Sequence, residues 1–273
     1  MQIIKMHGLG NDFIVIDNRN GQVKDPCALG EKLCHRRLAV GGDGLVLVEN
    51  SDVADIRMRI INSDGSEAEM CGNGIRCFAR FVYDEVLPGK EEFTVETLAG
   101  IMRPRLRVEG GKVVGIRVDM GAPSFERKNI PMVGEGSPLE VQLNVAGDDL
   151  TVSSILMGVP HAMVVVEDIE NFPFEKWGPA LEAHAAFPRK INVNFVQILD
   201  EQNVRVRTWE RGAGPTMACG TGSCAVVTML STLGKVQPKT TVHLEAGDLI
   251  IEKTESTVFM TGPAEYVFRG TLA

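Results

Sequence analysis

The sequence predicts a mixed α+β fold of two homologous domains related by a pseudo-two-fold axis, each a curved, mostly antiparallel, barrel-like sheet around a central helix. Three observations predict it. First, the chain repeats itself: laying Cys219 over Cys71 sets an offset of 148 residues that aligns much else. Ile56-Arg57-Met58-Arg59 then falls on Val204-Arg205-Val206-Arg207, Asn62 on Glu210, and Gly72 and Gly74 on Gly220 and Gly222. Upstream, Gly10-Asn11-Asp12-Phe13 falls on Gly158-Val159-Pro160-His161, and Gly44 to Val48 on Asn192 to Val196. Past the cysteine the offset shortens by one, so that Cys77 meets Cys224 and Ala99-Gly100 meets Ala246-Gly247. Second, Asn203 to Trp209 alternates with the period of a strand and leads through a glycine-bearing turn into the apolar run from Ala225, which is strand, turn and helix in order. Third, 273 residues exceed a typical single domain.

Ile3 to Met6 and Phe13 to Asp17 read as strands joined by the polar turn His7 to Asp12. Asp25 to Leu38 reads as a helix, with Asp25 as cap, Pro26 in the first turn, and Leu29, Leu33 and Arg37 at helical spacing. Gly41 to Gly44 is a loop into the strand Leu45 to Val48; Ile56 to Ile61 is a strand, and Asn62 to Glu69 a polar loop. Gly74 to Val86 is the first central helix, followed by strands at Phe93 to Glu96, Ile101 to Val108 and Val113 to Met120. Gly121-Ala122-Pro123 marks the crossing to the second copy. That copy has strands near Leu139 to Asn144, Leu150 to Met157 and Ala162 to Val166, a helix at Phe174 to Phe187, and strands at Val193 to Leu199 and Val204 to Trp209. The helix Ser223 to Leu233 and strands at Thr241 to Glu245, Leu249 to Thr254 and Ser256 to Thr261 complete it. The tail after Gly262-Pro263 is assigned back to the first domain, giving domains 1–120 plus 263–273 and 121–262.

A hydrophobic fraction of 44% and a charged fraction of 23% are ordinary for a globular protein. A net charge of −8 and the lack of a Lys/Arg block argue against nucleic-acid or anionic-membrane partners. Apolar runs such as Met163 to Val166 are too short to span a bilayer. The N-terminus lacks a signal peptide's apolar core, so a cytoplasmic location is expected. Six cysteines in a chain this long are expected to be thiols rather than a disulfide scaffold.

Cys71 and Cys219 each stand at the start of a predicted helix, where free N–H groups and the dipole favour negative charge. A duplicated scaffold can set the two thiols on opposite sides of one pocket. That arrangement suits inversion at a carbon bearing an acidic proton: one thiolate removes the proton from one face, and the opposite thiol returns one to the other. A thiol with a reference pKa of ~8.5 is expected to shift toward neutrality at a helix start, and the two titrations should be coupled. The backbone N–H groups of Gly72-Asn73 and Gly220-Thr221 suit the α-carboxylate of an amino acid. No nucleotide-binding glycine loop and no lysine in a pyridoxal context competes, so the expected activity is amino-acid racemisation or epimerisation without a carbonyl cofactor.

Four segments carry a family resemblance: H-G-L-G-N-D-F (7 to 13), N-S-D-G-S-E-A-E-M-C-G-N-G-I-R-C (62 to 77), G-x-P-H (158 to 161) and W-E-R-G-A-G-P-T-M-A-C-G-T-G-S-C-A (209 to 225). Together they resemble the diaminopimelate epimerases over nearly the whole chain. The resemblance implies interconversion of LL- and meso-diaminopimelate in lysine and peptidoglycan precursor synthesis, without metal or pyridoxal phosphate, by a homodimer. It implies that Cys219 removes the proton from the LL substrate while Cys71 donates. It further implies that Gly72, Asn73, Gly220 and Thr221 hold the reacting carboxylate, and that Asn11, Asn62, Asn192 and Arg211 recognise the distal end. Glu210 would face the reacting amino group, and His161 and Glu210 would tune the thiols. The resemblance departs at Val159, where many members have Asn, and at Gly44, where some have Gln, and each would remove a side-chain contact to the distal end.

Plainer readings stand beside these. Cys27, Cys34, Cys77 and Cys224 read as small buried hydrophobes. The spacings 71 to 77 and 219 to 224 fit no zinc pattern. From the residues alone His161 is equally a core histidine, and Arg211 equally an inter-domain ion pair. His7, His35, His184 and His243 read as structural, as do Arg57, Arg59, Arg205 and Arg207. Rival functions are a proline or hydroxyproline racemase, the phenazine-pathway isomerase, and a non-catalytic amino-acid binder. The racemase type has Met-Cys-Gly-His where this chain has Met70-Cys71-Gly72-Asn73 and lacks the E-R-G-A-G segment, and the isomerase would not need both cysteines.

Overall fold

The computed structural model describes residues 1–272. Its first half runs β1 (Gln2–Gly8), β2 (Asn11–Asp17), α1 (Pro26–Cys34), β3 (Gly44–Glu49), β4 (Ile56–Asn62), β5 (Glu67–Ala68), α2 (Gly72–Glu85), β6 (Val95–Thr97), β7 (Gly100–Met102), β8 (Arg105–Glu109) and β9 (Lys112–Asp119). The second runs β10 (Val141–Val145), β11 (Asp148–Met157), β12 (Val159–Val165), α3 (Phe174–Glu182), β13 (Asn192–Asp200), β14 (Asn203–Glu210), β15 (Gly214–Thr216), α4 (Gly220–Thr232), β16 (Lys239–Leu244), β17 (Gly247–Lys253), β18 (Val258–Gly262) and β19 (Glu265–Thr271). The chain divides into two compact units: Met1–Asp119 with the segment from Thr261 on, and Met120–Met260.

In the first unit the strand order is β19-β1-β2-β3-β4-β6-β7, with β5 on β4. The tail strand β19 pairs antiparallel with β1. The joins β2–β3 and β4–β6 are parallel and the others antiparallel. In the second unit β10 to β14, β16, β17 and β18 follow in order, with β15 on β14. Its parallel joins, β12–β13 and β14–β16, fall at the matching places. The register repeats as well. Phe13 pairs with Gly44 and His161 with Asn192; Ile60 pairs with Ala68 and Thr208 with Thr216; Ile56 pairs with Val95 and Val204 with Val242. Among the described residues neither strand path returns on itself, so the mixed α+β sheets are open rather than closed barrels.

The helices are legible in their termini. Asp25 Oδ1 accepts the Ala28 N–H at 3.0 Å, and Pro26 occupies the first turn of α1. The helix ends at Cys34, short of the expected Leu38, because His35 turns extended and its Nδ1 accepts the Leu38 N–H at 3.1 Å. α3 stops at Glu182 instead of Phe187, with His184 Nδ1 accepting the Ala186 N–H at 3.1 Å. The strand expected over Ile101 to Val108 is two strands, β7 and β8, broken at Pro104, which has no N–H for a ladder.

The inner strand β3 is buried on both faces, which is why it reads as a continuous apolar run rather than an alternating one. Leu45 and Leu47 pack with Ile14, Ile16 and Ile61 against Leu33 and Cys34 of α1. On the other face Phe13 and Ile60 meet α2 at Gly74. In the second unit Phe174 and Leu181 of α3 pack on Val193 and Phe195.

The outer helices meet their sheets through one glycine each, and the two glycines are repeat partners. A Cβ on Gly30 would stand 2.6 Å from Ile61 Cγ2, and one on Gly178 would stand 2.7 Å from Trp209 Cε3. Helix propensity alone favours alanine by about 1 kcal/mol, whereas forcing atoms into a packed contact costs about 1–3 kcal/mol. Packing should win: Gly30→Ala and Gly178→Ala are each expected to lower the urea midpoint. A raised midpoint in either would show that helix and strand are not in such close contact.

Candidate active site

Both repeat cysteines cap their helices through sulfur. Cys71 (φ −139°, ψ 122°) precedes α2, and its Sγ accepts the Gly74 N–H at 3.4 Å. Cys219 (φ −125°, ψ 110°) precedes α4, and its Sγ accepts the Gly222 N–H at 3.3 Å. The third helical residue is glycine in both because there is no room for more. A Cβ on Gly74 would lie 3.0 Å from Ile60 Cδ1 and 3.4 Å from Cys71 Cβ. A Cβ on Gly222 would lie 3.2 Å from Cys219 Sγ and collide with Asn194 Oδ1. Helix geometry leaves the N–H groups of Gly72 and Asn73, and of Gly220 and Thr221, without an intrahelical acceptor. Each helix start can therefore receive a carboxylate beside the thiol.

In the first unit the structure brings Asn11, Cys71 and Asn73 together. Asn11 Nδ2 donates to Asp43 Oδ2 at 2.6 Å, so its Oδ1 faces the other way, 3.8 Å from Cys71 Sγ and 3.2 Å from Asn73 Nδ2. Asp43 also accepts from Arg36 Nη2 at 2.7 Å and from the Asp12 N–H at 3.0 Å. Burial raises the Asp12 carboxyl, but hydrogen bonds from Arg36 and Lys5 outweigh it and bring the group down to about 2. On the opposite side, Asn73 Oδ1 accepts from Arg76 Nη1 at 2.8 Å, and the fully buried Arg76 donates through Nε to the Pro263 carbonyl at 2.9 Å. Asn62, opposite Gly44 at the end of β4, donates to Ser66 Oγ at 2.9 Å.

In the second unit Cys219 is joined by Thr221, whose Oγ1 is 3.6 Å from the sulfur, and by Glu210, whose carboxylate lies against the same thiol. Thr216 Oγ1 donates to Glu210 Oε1 at 2.7 Å. Burial and the Glu210 charge push the Cys219 thiol up to about 12, overcoming the Thr221 hydroxyl and the Gly222 N–H. This corrects the expected shift toward neutrality: with the thiol 6% exposed, desolvation outweighs the helix start. His161 is fully buried, and burial, aided by the Arg211 charge, brings it down to about 3, so its imidazole is neutral. Asn192 spends its amide on backbone: Nδ2 donates to the Pro160 carbonyl at 3.0 Å and Oδ1 accepts the Arg211 N–H at 2.9 Å. The exposed Arg211 guanidinium donates to the Arg189 carbonyl at 3.2 Å.

Among the remaining cysteines, Cys34, Cys77 and Cys224 are buried as expected, but Cys27 is exposed, on the outer side of α1. The family model for diaminopimelate epimerase matches residues 3–126 and 153–267 of the chain.

The chain belongs to the diaminopimelate epimerase family.

A diaminopimelate epimerase of Moorella thermoacetica is 53% identical over 274 residues, spanning 99% of this chain and 98% of its own. One from Methanococcus maripaludis is 47% identical over 275 residues, spanning 100% and 99%. Among solved structures, a phenazine biosynthesis protein of the PhzF family from Bacillus anthracis superposes with a TM-score of 0.72 at 19% identity, covering 100% of this chain and 99% of its own. A hydroxyproline epimerase from Agrobacterium vitis gives a TM-score of 0.66 at 18% identity, covering 99% and 90%. These two share the fold.

The two positions at which the sequence predicts a lost side-chain contact lie in different settings. Val159 is 38% exposed at the start of β12. At Gly44 a Cβ would lie 2.9 Å from the Ile61 carbonyl, so a side chain there needs the strand to shift. Sequence reasoning missed Asp43, Asn194, Thr208 and Thr216, which touch the candidate residues from behind. The repeat alignment carried a signal for two of them: Asn194 lies over Val46 and Thr208 over Ile60, polar groups at buried apolar positions.

The elevated Cys219 thiol has a measurable consequence. Glu210→Gln removes the neighbouring negative charge, so the thiol pKa falls and the thiolate fraction at pH 8 rises, about tenfold for each unit of fall. Alkylation of Cys219 by iodoacetamide, followed by peptide mass mapping with exposed Cys27 as internal reference, should accelerate in the variant. Unchanged or slower alkylation would show that the Glu210 charge does not act on this sulfur.

Proposed function

We propose that the chain interconverts LL- and meso-diaminopimelate by a two-base mechanism in which Cys71 and Cys219 act on opposite faces of one α-carbon, without a cofactor. The observation that carries this reading is the duplicated sulfur cap, found at the same repeat position in both halves of a diaminopimelate epimerase family member. The two compact units, Met1–Asp119 with the segment from Thr261 on and Met120–Met260, serve as the two domains, each carrying one of the two cysteines. The enzyme works as a cytoplasmic homodimer; among the described residues, no helix is long and apolar enough to cross a membrane.

The electrostatics support a thiol that is activated by its own substrate. Before binding, Cys219 is held protonated by burial and by Glu210. The α-ammonium of the substrate, paired with Glu210, neutralises that carboxylate and removes the charge that disfavours the thiolate. The α-carboxylate takes the N–H groups of Gly220 and Thr221 from one helix start and of Gly72 and Asn73 from the other. These donors hold the extra charge as the α-proton leaves and electron density spreads onto the carboxylate. Cys219 removes the proton of the LL substrate, Cys71 delivers one to the other face, and the roles reverse for the meso substrate. Asn11, Asn62, Asn192 and Arg211 hold the distal amino-acid end.

Incubation with LL-diaminopimelate in deuterated water should yield meso product carrying deuterium at the inverted α-carbon. Cys71→Ser and Cys219→Ser should each lower kcat by about 10²–10⁴-fold, whereas Cys77→Ser, one turn inside α2, should retain activity. Exchange with proline or hydroxyproline and none with diaminopimelate would overturn the substrate assignment. Equal activity of the three variants would overturn the cysteine pair.

A further inference from the structure

The sheet face beneath α4 is built differently from its counterpart beneath α2. At the repeat offset, Phe13, Val46 and Ile60 of the first unit become His161, Asn194 and Thr208 of the second. The strand registers are shared, with Phe13 opposite Gly44 and His161 opposite Asn192, so the scaffold stands equally well on apolar residues. All three polar replacements are buried, with His161 and Asn194 fully so and Thr208 2% exposed. They lie directly under the Cys219 cap, since Asn194 Oδ1 occupies the space that a side chain at Gly222 would need.

The hydrogen bonds in this trio have one consistent direction. Asn194 Nδ2 is 3.0 Å from the Ala162 carbonyl oxygen, which only accepts, so this end of the amide is the nitrogen. The other end, Oδ1, accepts the Thr208 hydroxyl at 3.1 Å. The second Nδ2 proton points to His161 Nδ1 at 3.2 Å, and that ring nitrogen can then only accept. A neutral imidazole with Nδ1 accepting carries its proton on Nε2. Nε2 is buried and has no hydrogen-bond partner among the described residues. A buried donor left unmade carries its full desolvation penalty, and the apolar version of this face in the first unit avoids it.

We infer that Asn194 and Thr208 are positioning residues that lock His161 as the Nε2–H tautomer, presenting a neutral N–H donor to an anionic acceptor that forms or arrives with the substrate. Thr208 sets the amide, the amide sets the ring, and the ring offers a donor rather than a base. The acceptor class is an anionic oxygen or sulfur, a substrate carboxylate or a thiolate. For its kinetic consequence, though not for the tautomer itself, the inference rests on the epimerase reading above.

The test is nitrogen and carbon NMR of histidine-labelled full-length protein without substrate, with the His161 ring resonances identified by their loss in His161→Gln. The wild-type ring should be protonated on Nε2. Asn194→Asp, which puts an acceptor at Nδ1, should move the proton to Nδ1 or charge the ring, and should lower kcat on LL-diaminopimelate on the order of 10²-fold with little change in KM. Thr208→Val should broaden the tautomer signal and lower kcat, and Thr208→Ser, which keeps the hydroxyl, should recover both. A wild-type ring protonated on Nδ1 overturns the inference. So does a loss of kcat in Thr208→Val that Thr208→Ser does not recover; neither test needs the aspartate variant to fold. Should the ring behave as expected while wild-type protein fails to epimerise diaminopimelate, the network stands and the proposed function falls.

Discussion

The contact on which this site rests is a sulfur atom accepting the third N–H of a helix. Oxygen side chains are the common caps because they are small and strong acceptors; sulfur is larger and weaker, and it reaches the amide only if nothing stands beside that amide. Glycine at positions 74 and 222 supplies the room, and the extended backbone at Cys71 and Cys219 aims the thiol inward. The first two N–H groups of each helix, those of Gly72 and Asn73 and of Gly220 and Thr221, lack an intrahelical acceptor. A thiol and two helix-start N–H groups are thus fixed by the same turn, so the spacing between them is a property of backbone geometry rather than of flexible side chains.

The two caps share this geometry and differ in what surrounds them. Around Cys71 the polar contacts come from an amide, Asn11, oriented by Asp43 and by the Asn73–Arg76 pair. Around Cys219 they come from a carboxylate, Glu210, and from a buried polar layer below, and the thiol is pushed up to about 12. Duplication gave the scaffold, and divergence on one sheet face gave the two caps different polar surroundings.

Much of this was legible in the sequence because the repeat is written in backbone-determining residues. Gly72, Gly74, Gly220 and Gly222, the two cysteines and the strand alternation carry both fold and cap, and α1 and α3 start at residues one offset apart. What was not legible depends on burial and on direction. The helix start at Cys219 favours the thiolate, but burial opposes it more strongly, and sequence does not show that the sulfur is nearly sealed from water. Asp43 and Asn194 act through the orientation of an amide that only coordinates reveal. The ends of α1 and α3 were set by local hydrogen bonds to His35 and His184 rather than by periodicity.

The proposed pairing of the two thiols has a direct chemical readout. Mild oxidation of the full-length protein, followed by proteolysis and mass spectrometry without reduction, should yield a peptide joining Cys71 to Cys219, formed in step with loss of activity and reversed by a thiol reductant. Inactivated protein in which Cys71 and Cys219 both remain free, or in which each is joined to a different cysteine, would contradict the account.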